Sequence, residues 1–283
     1  MDIRVVDYRN KNAPADFVES LHSTGFGVLT NHPLQQTLVS WIYAEWLAFF
    51  NSEHKHAYAM DGNSHDGFFS TAVSETAKGH AQKDLKEFFH LFPWGKYPSE
   101  VSSAARHYYE QASQLAAELL QWIDDCTPPE IQAGFSMPLS QMINDSPTSL
   151  LRILRYPPLR GDETPGALRA APHEDINLIT LLPAANEPGL QVKDSQGAWH
   201  DVPCDFGMVV VNIGDMLQEA SGGYYPSTTH RVQNPTGPGS LQSRISLPFF
   251  FQPRNDVKLS ERYLAGEYLE ERLRELHGVK GGS

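Results

Sequence analysis

The period of the hydrophobic pattern changes near residue 146, and that change constrains the fold more than any other feature of the chain. Ahead of it, apolar residues recur at helical spacing. Leu38, Ile42, Trp46 and Phe49 share one face of a helix predicted over 35–51, and Tyr108, Ala112, Leu115, Leu119 and Trp122 share one over about 100–125. Between the helical segments Phe26-Gly27-Val28-Leu29 follows a Thr-Gly turn signal and ends at Asn31-His32-Pro33, so it reads as a short strand. From 150 to 253 the pattern becomes short apolar or alternating runs separated by Gly, Pro, Asn and Asp. They are Leu151–Tyr156, Ile176–Leu182, Gly189–Val192, Trp199–Val202, Met208–Asn212, Met216–Ala220, Thr228–Val232 and Ser243–Phe251. Eight short strands with close turns imply a barrel or a double-sheet jelly roll. After Pro253 a helical stripe returns, with Ser260 as N-cap, Leu269, Leu273 and Leu276 on one side and Gly278 as stop. The expected fold is mixed α/β with a mainly β core, a double-stranded β-helix (jelly roll) with flanking α-helices. Residues 1–283 form one domain, with a helix-rich region 1–145, a jelly-roll core 146–253 and a C-terminal helix 254–283 packed outside.

Charge and composition narrow the partners. A formal net charge of -12 repels nucleic-acid phosphates and anionic lipid, which require a clustered basic face. No stretch approaches the roughly 18 consecutive apolar residues of a membrane helix. The amino terminus lacks the basic-then-apolar layout of a secretory signal, and Cys126 and Cys204 form no CxxC pair. These features point to a cytoplasmic protein with reduced thiols and a small-molecule substrate.

Of the twelve histidines, only His173 has a carboxylate two residues on, in Pro172-His173-Glu174-Asp175. In a strand, residues i and i+2 point to the same side, so His173 and Asp175 can reach one metal ion. About one such pair arises by chance in a chain of this composition, and alone it reads equally as a polar strand end facing water. Its position at the mouth of the apolar run Ile176–Leu182 favours the site. His230, in Ser227-Thr228-Thr229-His230-Arg231-Val232, lies on another predicted strand, where the plain alternative is a core histidine bonded to backbone. Two imidazoles and one carboxylate would occupy one face of an octahedral ion and leave the other open, a donor set suited to Fe(II). The final strand carries the only Arg-x-Ser, Arg244-Ile245-Ser246. On one face, guanidinium and hydroxyl can grip one carboxylate; the alternative is an arginine at a surface strand edge. Iron at +2, Asp175 at -1, 2-oxoglutarate at -2 and Arg244 at +1 sum to zero, which avoids burying an unbalanced charge.

These residues resemble the isopenicillin N synthase-like family of 2-oxoglutarate/Fe(II)-dependent oxygenases. The resemblance is carried by Arg155-Tyr156-Pro157-Pro158, His173 to Thr180, Asn212-Ile213-Gly214-Asp215, Ser227 to Val232, and Arg244 to Phe250, in family order. Weaker echoes lie in Gly25 to His32 and Asp84 to Phe89. It implies iron held by His173, Asp175 and His230, and a co-substrate carboxylate held by Arg244 and Ser246. Tyr156 is implied to point into the same pocket, against the alternative of a core phenol capped by backbone. Fe(II), 2-oxoglutarate and O2 are the implied cofactors, with ascorbate as a candidate reductant. The implied reaction is hydroxylation, desaturation or cyclisation at a C–H bond, releasing succinate and CO2. Gly214-Asp215 and His32 read as turn residues. Two alternatives stay open: a 2-oxoglutarate-independent Fe(II) oxidase like isopenicillin N synthase, whose strand also keeps Arg-x-Ser, and a non-catalytic jelly-roll binding protein. The primary substrate and the oligomeric state are not readable.

Overall fold

In the computed structural model the described residues are 1–61, 64–71, 84–159, 161, 168–185, 189–235 and 240–276. The front half runs β1 (Val5–Asp7), α1 (Ala13–Thr24), β2 (Phe26–Thr30), α2 (Gln36–Asn51), β3 (Gly67–Phe69), β4 (Glu87–Leu91), α3 (Ala104–Cys126) and two short turns of helix, α4 (Pro129–Gln132) and α5 (Leu139–Met142). The back half runs β5 (Leu150–Tyr156), β6 (Ala170–His173), β7 (Ile179–Pro183), β8 (Leu190–Lys193), β9 (Trp199–Asp201), β10 (Val209–Ile213), α6 (Asp215–Ala220), β11 (His230–Val232), β12 (Arg244–Ser246), β13 (Phe249–Phe251) and α7 (Ala265–Leu276).

The strands form two sheets. The larger follows the order β1-β2-β10-β7-β13-β5-β4-β3, with β12 also paired to β5; the smaller is β6-β11-β8-β9. Strand alternation divides the larger sheet into two working faces. Val209 and Val211 of β10, with Leu151 and Ile153 of β5, join the core formed with Phe17 of α1, Trp46 of α2 and Leu115 of α3. Val210, Leu154 and Tyr156 turn the other way and meet Leu190, Val192 and Val232 of the smaller sheet. Helices therefore cover one face, and the space between sheets is left for the site: a jelly roll with flanking helices, as expected. Burying each large side chain of the helix-facing core contributes on the order of 1.5–3 kcal/mol over exposure. Among the described residues no helix is long and apolar enough to cross a membrane.

The two long predicted helices are present, one residue short at the start of α2 and four in α3. Met216–Ala220, expected as a strand, is helix α6. Met, Leu, Gln, Glu and Ala are all strong helix formers, and Met216, Leu217 and Ala220 bury one helical face. Ser243–Phe251 is two strands rather than one, because the missing N–H of Pro248 interrupts the ladder between Ser246 and Phe249. Ile176–Leu182 becomes regular strand only from Ile179, and β6 was absent from the expected runs. The last helix begins at Ala265 rather than just after Ser260, and Gly278 lies outside the described residues.

Candidate metal centre

His173 is the last residue of β6 and pairs across the smaller sheet with His230, the first residue of β11. Their rings lie 4.4 Å apart between centroids. Asp175 sits two residues beyond the strand, so the bend after β6, and not regular alternation, brings its carboxylate round. The three side chains meet: Oδ1 of Asp175 lies 3.8 Å from Nε2 of His173 and 3.7 Å from Nε2 of His230. One ligand atom from each falls within 4.8 Å of the other two. Cis ligands of a six-coordinate ion at about 2.1 Å stand about 3 Å apart, so closing the set takes less than an ångström at each histidine–carboxylate edge.

The atoms turned away from this point are already committed. Nδ1 of His173 lies 2.8 Å from the carbonyl of Ala171, and Nδ1 of His230 lies 3.1 Å from that of Thr228. A carbonyl can only accept, so each Nδ1 carries a proton and each Nε2 is the ring atom turned to the centre. Oδ2 of Asp175 accepts from Oγ1 of Thr180 at 2.6 Å and Nδ2 of Asn212 at 2.8 Å, leaving Oδ1 to face the imidazoles. Thr180 and Asn212 are opposite each other across β7 and β10. Asn177 in turn donates to Oγ1 of Thr180 at 2.8 Å. Gly214 packs against this relay so closely that a Cβ there would lie 2.1 Å from Oδ1 and 2.4 Å from the carbonyl oxygen of Asn177.

Electrostatics favour the metal-binding protonation states. Burial, then the neighbouring His230, pushes the His173 pKa down to about 4. Burial alone would raise the Asp175 carboxyl, but His230, His173 and the bonds from Asn212 and Thr180 outweigh it and hold it below the usual carboxylate range. His173 thus rests as a neutral imidazole and Asp175 as a carboxylate, the forms that ligate.

Arg244 and Ser246 are buried, 1% and 3% exposed, on the same face of β12. Arg244 stands opposite Tyr156 in register, its guanidinium 5.5 Å from the Tyr156 ring centre. A second buried guanidinium, that of Arg169, lies 5.9 Å from the same ring. The Arg244 charge also acts on Tyr43 of α2, whose hydroxyl donates to the carbonyl of Ala184 at 3.0 Å. Sequence reasoning gave no role to Thr180, Asn212, Asn177 or Arg169. The available signal was polarity at strand positions inside apolar runs. Gly214 and Asp215 form a helix start rather than a tight turn, while His32 does anchor a loop, through Nε2 against the carbonyl of Gly207 at 3.0 Å.

Two facing sheets with two imidazoles and a carboxylate between them define the class of mononuclear non-haem iron enzymes. Residues 147–253 match the model of the 2OG-Fe(II) oxygenase superfamily, and residues 3–114 match the model described as non-haem dioxygenase in morphine synthesis N-terminal. The 2-oxoglutarate-dependent dioxygenase citB of Monascus ruber is 35% identical over 277 residues, covering 88% of this chain and 81% of that protein. A crystal structure of a candidate oxygenase from Shewanella oneidensis is 56% identical, with TM-score 0.90, covering 99% of this chain and all of that one. A candidate 2OG-Fe(II) oxygenase family protein from Caulobacter crescentus is 30% identical, with TM-score 0.80, over 96% of this chain and 98% of the other. The chain belongs to the 2OG-Fe(II) oxygenase superfamily. It is an oxidoreductase, a dioxygenase that uses Fe(II), 2-oxoglutarate and O2.

Proposed function

We propose that His173, Asp175 and His230 hold the Fe(II), that Arg244 and Ser246 receive the distal carboxylate of 2-oxoglutarate with Tyr156 beside it, and that the enzyme oxidises a C–H bond of a small molecule by hydroxylation, desaturation or cyclisation. The observation that carries this reading is the division of labour within each ligand: Nδ1, Nδ1 and Oδ2 are engaged, and Nε2, Nε2 and Oδ1 converge. The Nδ1 bonds orient both rings with Nε2 inward, and neither His173 nor Asp175 has a proton to lose before an ion enters. Bound iron supplies the redox chemistry toward O2 and 2-oxoglutarate. The protein binds, orients and excludes water: the Arg244 charge offsets one carboxylate of the co-substrate, and the Tyr156 ring packs beside that charge and limits hydration around it.

Anaerobic Fe(II) titration, followed by succinate analysis after O2 is admitted, tests the reading. Wild type should bind one equivalent and form succinate only with 2-oxoglutarate present, and His173→Ala should lose both. Iron binding unaffected by His173→Ala would end it, and turnover without succinate would replace it with an oxidase that needs no 2-oxoglutarate. We further propose that the chain is a single domain and that it works in the cytoplasm, the latter reading supported by Cys126 and Cys204 both being free thiols.

A further inference from the structure

Beside the ligand set lies a cavity of about 270 Å³, walled by His173, Glu174, Ile176 and Thr229 on one side and by Arg272 and Glu275 of α7 on the other. That is just below the usual range for small-molecule pockets and gives room for a small metabolite. The His173 side chain is 36% exposed, so this is a face from which the centre can be approached. The polar groups are unequal in sign. Oγ1 of Thr229 donates to Oε1 of Glu174 at 2.6 Å, which fixes the carboxylate in place and turns the remaining oxygen to other donors. The one cation in the wall is already neutralised: Nη1 of Arg272 reaches Glu275 at 2.9 Å and Nη2 reaches Glu271 at 2.9 Å, while its plane lies over Tyr268 at 5.1 Å. Two carboxylates against one committed guanidinium leave the wall with an excess of negative charge. The centre behind it balances to zero once iron and 2-oxoglutarate are bound, so it does not cancel that excess.

We propose that this cavity seats the substrate that is oxidised, and that the substrate is a small molecule carrying a protonated amine received by Glu174 and Glu275, with its hydrocarbon against Ile176 and its reacting C–H bond toward the His173 side. An anionic substrate would meet like charge from both walls, whereas an ammonium gains two carboxylates, open to water but oriented in advance by Thr229 and Arg272. The α7 helix thereby becomes a specificity element of the enzyme. This proposal rests on the metal centre proposed above.

The test uses the full chain loaded with Mn(II) and 2-oxoglutarate, and reads paramagnetic relaxation of probe protons by the bound ion. The probes are pyrrolidine and cyclohexylamine, their N-acetyl counterparts, and cyclohexanecarboxylate. The amines should be relaxed at about two- to fivefold lower concentration than their acetylated counterparts, as expected for an ion pair with carboxylates open to water. Glu275→Gln, on the α7 side of the cavity and outside the ligand set, and Glu174→Gln should each abolish that preference while the electron spin resonance signal shows Mn(II) still bound. Equal relaxation by amines and amides, preference for the carboxylate, or no relaxed probe with Mn(II) and 2-oxoglutarate in place would each overturn the substrate assignment. Failure of Mn(II) itself to bind would instead sink the metal centre and take this proposal with it.

Discussion

Replacing Thr180 with Val keeps the shape of the side chain and removes one hydroxyl, and that hydroxyl does two things at once. It donates to Oδ2 of Asp175 at 2.6 Å and accepts from Nδ2 of Asn177 at 2.8 Å, all three residues being buried. A hydrogen bond to a charged group contributes about 1.5–3 kcal/mol, and partners of metal ligands typically control 10–100-fold in affinity. Thr180→Val should therefore weaken Fe(II) binding about 10–100-fold, with Asn212 still holding the carboxylate from its other donor position. The same change leaves the amide of Asn177, 0% exposed, without its acceptor, which costs on the order of 1–3 kcal/mol of fold stability. Anaerobic calorimetry with Fe(II) reads the first effect and urea unfolding of the metal-free protein reads the second. Thr180→Ser keeps the hydroxyl and should recover most of the affinity, losing about 1 kcal/mol of stability for the missing methyl. A folded Thr180→Val that binds Fe(II) within about twofold of wild type would show that the Thr180 bond does not hold Asp175 for the metal.

Arg244→Met should weaken 2-oxoglutarate about 10–100-fold through loss of charge-assisted bonds, with Fe(II) affinity in its absence unchanged; anaerobic equilibrium dialysis separates the two. Gly214→Ala should cost about 3 kcal/mol or more, because its Cβ meets the Asn177 backbone, and should lower the melting temperature by roughly 6 °C or more; a normal melting curve would contradict the packing. Asp124, 3% exposed, has its carboxyl pushed by burial from 3.8 to about 6 despite the backbone N–H bonds from Leu139 and Ser140. The folded chain then holds a proton that the unfolded chain releases, so stability falls as pH rises between about 4 and 6, by up to about 3 kcal/mol. Asp124→Asn should remove that slope, and parallel unfolding curves for the two proteins at pH 4.5 and 7 would refute the assignment.

The helices α2 and α3 were legible because several helical turns repeat one apolar stripe, and no strand can reproduce that spacing. Met216–Ala220 was not, since five apolar-rich residues fit either period. The strand β6 was invisible because Ala170-Ala171-Pro172-His173 has no large apolar residue, yet it carries His173. The pairs His173/Asp175 and Arg244/Ser246 stood out by spacing within short segments, whereas His230 stood out only by its predicted strand and the family resemblance around it. Thr180 and Asn212 could not, because their roles depend on β7 lying beside β10 and both turning toward Asp175. The wall supplied by α7 was hidden for the same reason: nothing in a helical stripe tells which part of the sheet it will cover.

His173 and His230 belong to the smaller sheet, while the carboxylate between them is gripped by two strands of the larger one. An ion held at that point would rivet both layers together, and stripping it would remove a fastener as well as a reagent. Chelation should therefore speed amide exchange in β6 and β11 ahead of the helix-backed strands, so that loss of iron loosens the thinner layer of the molecule first.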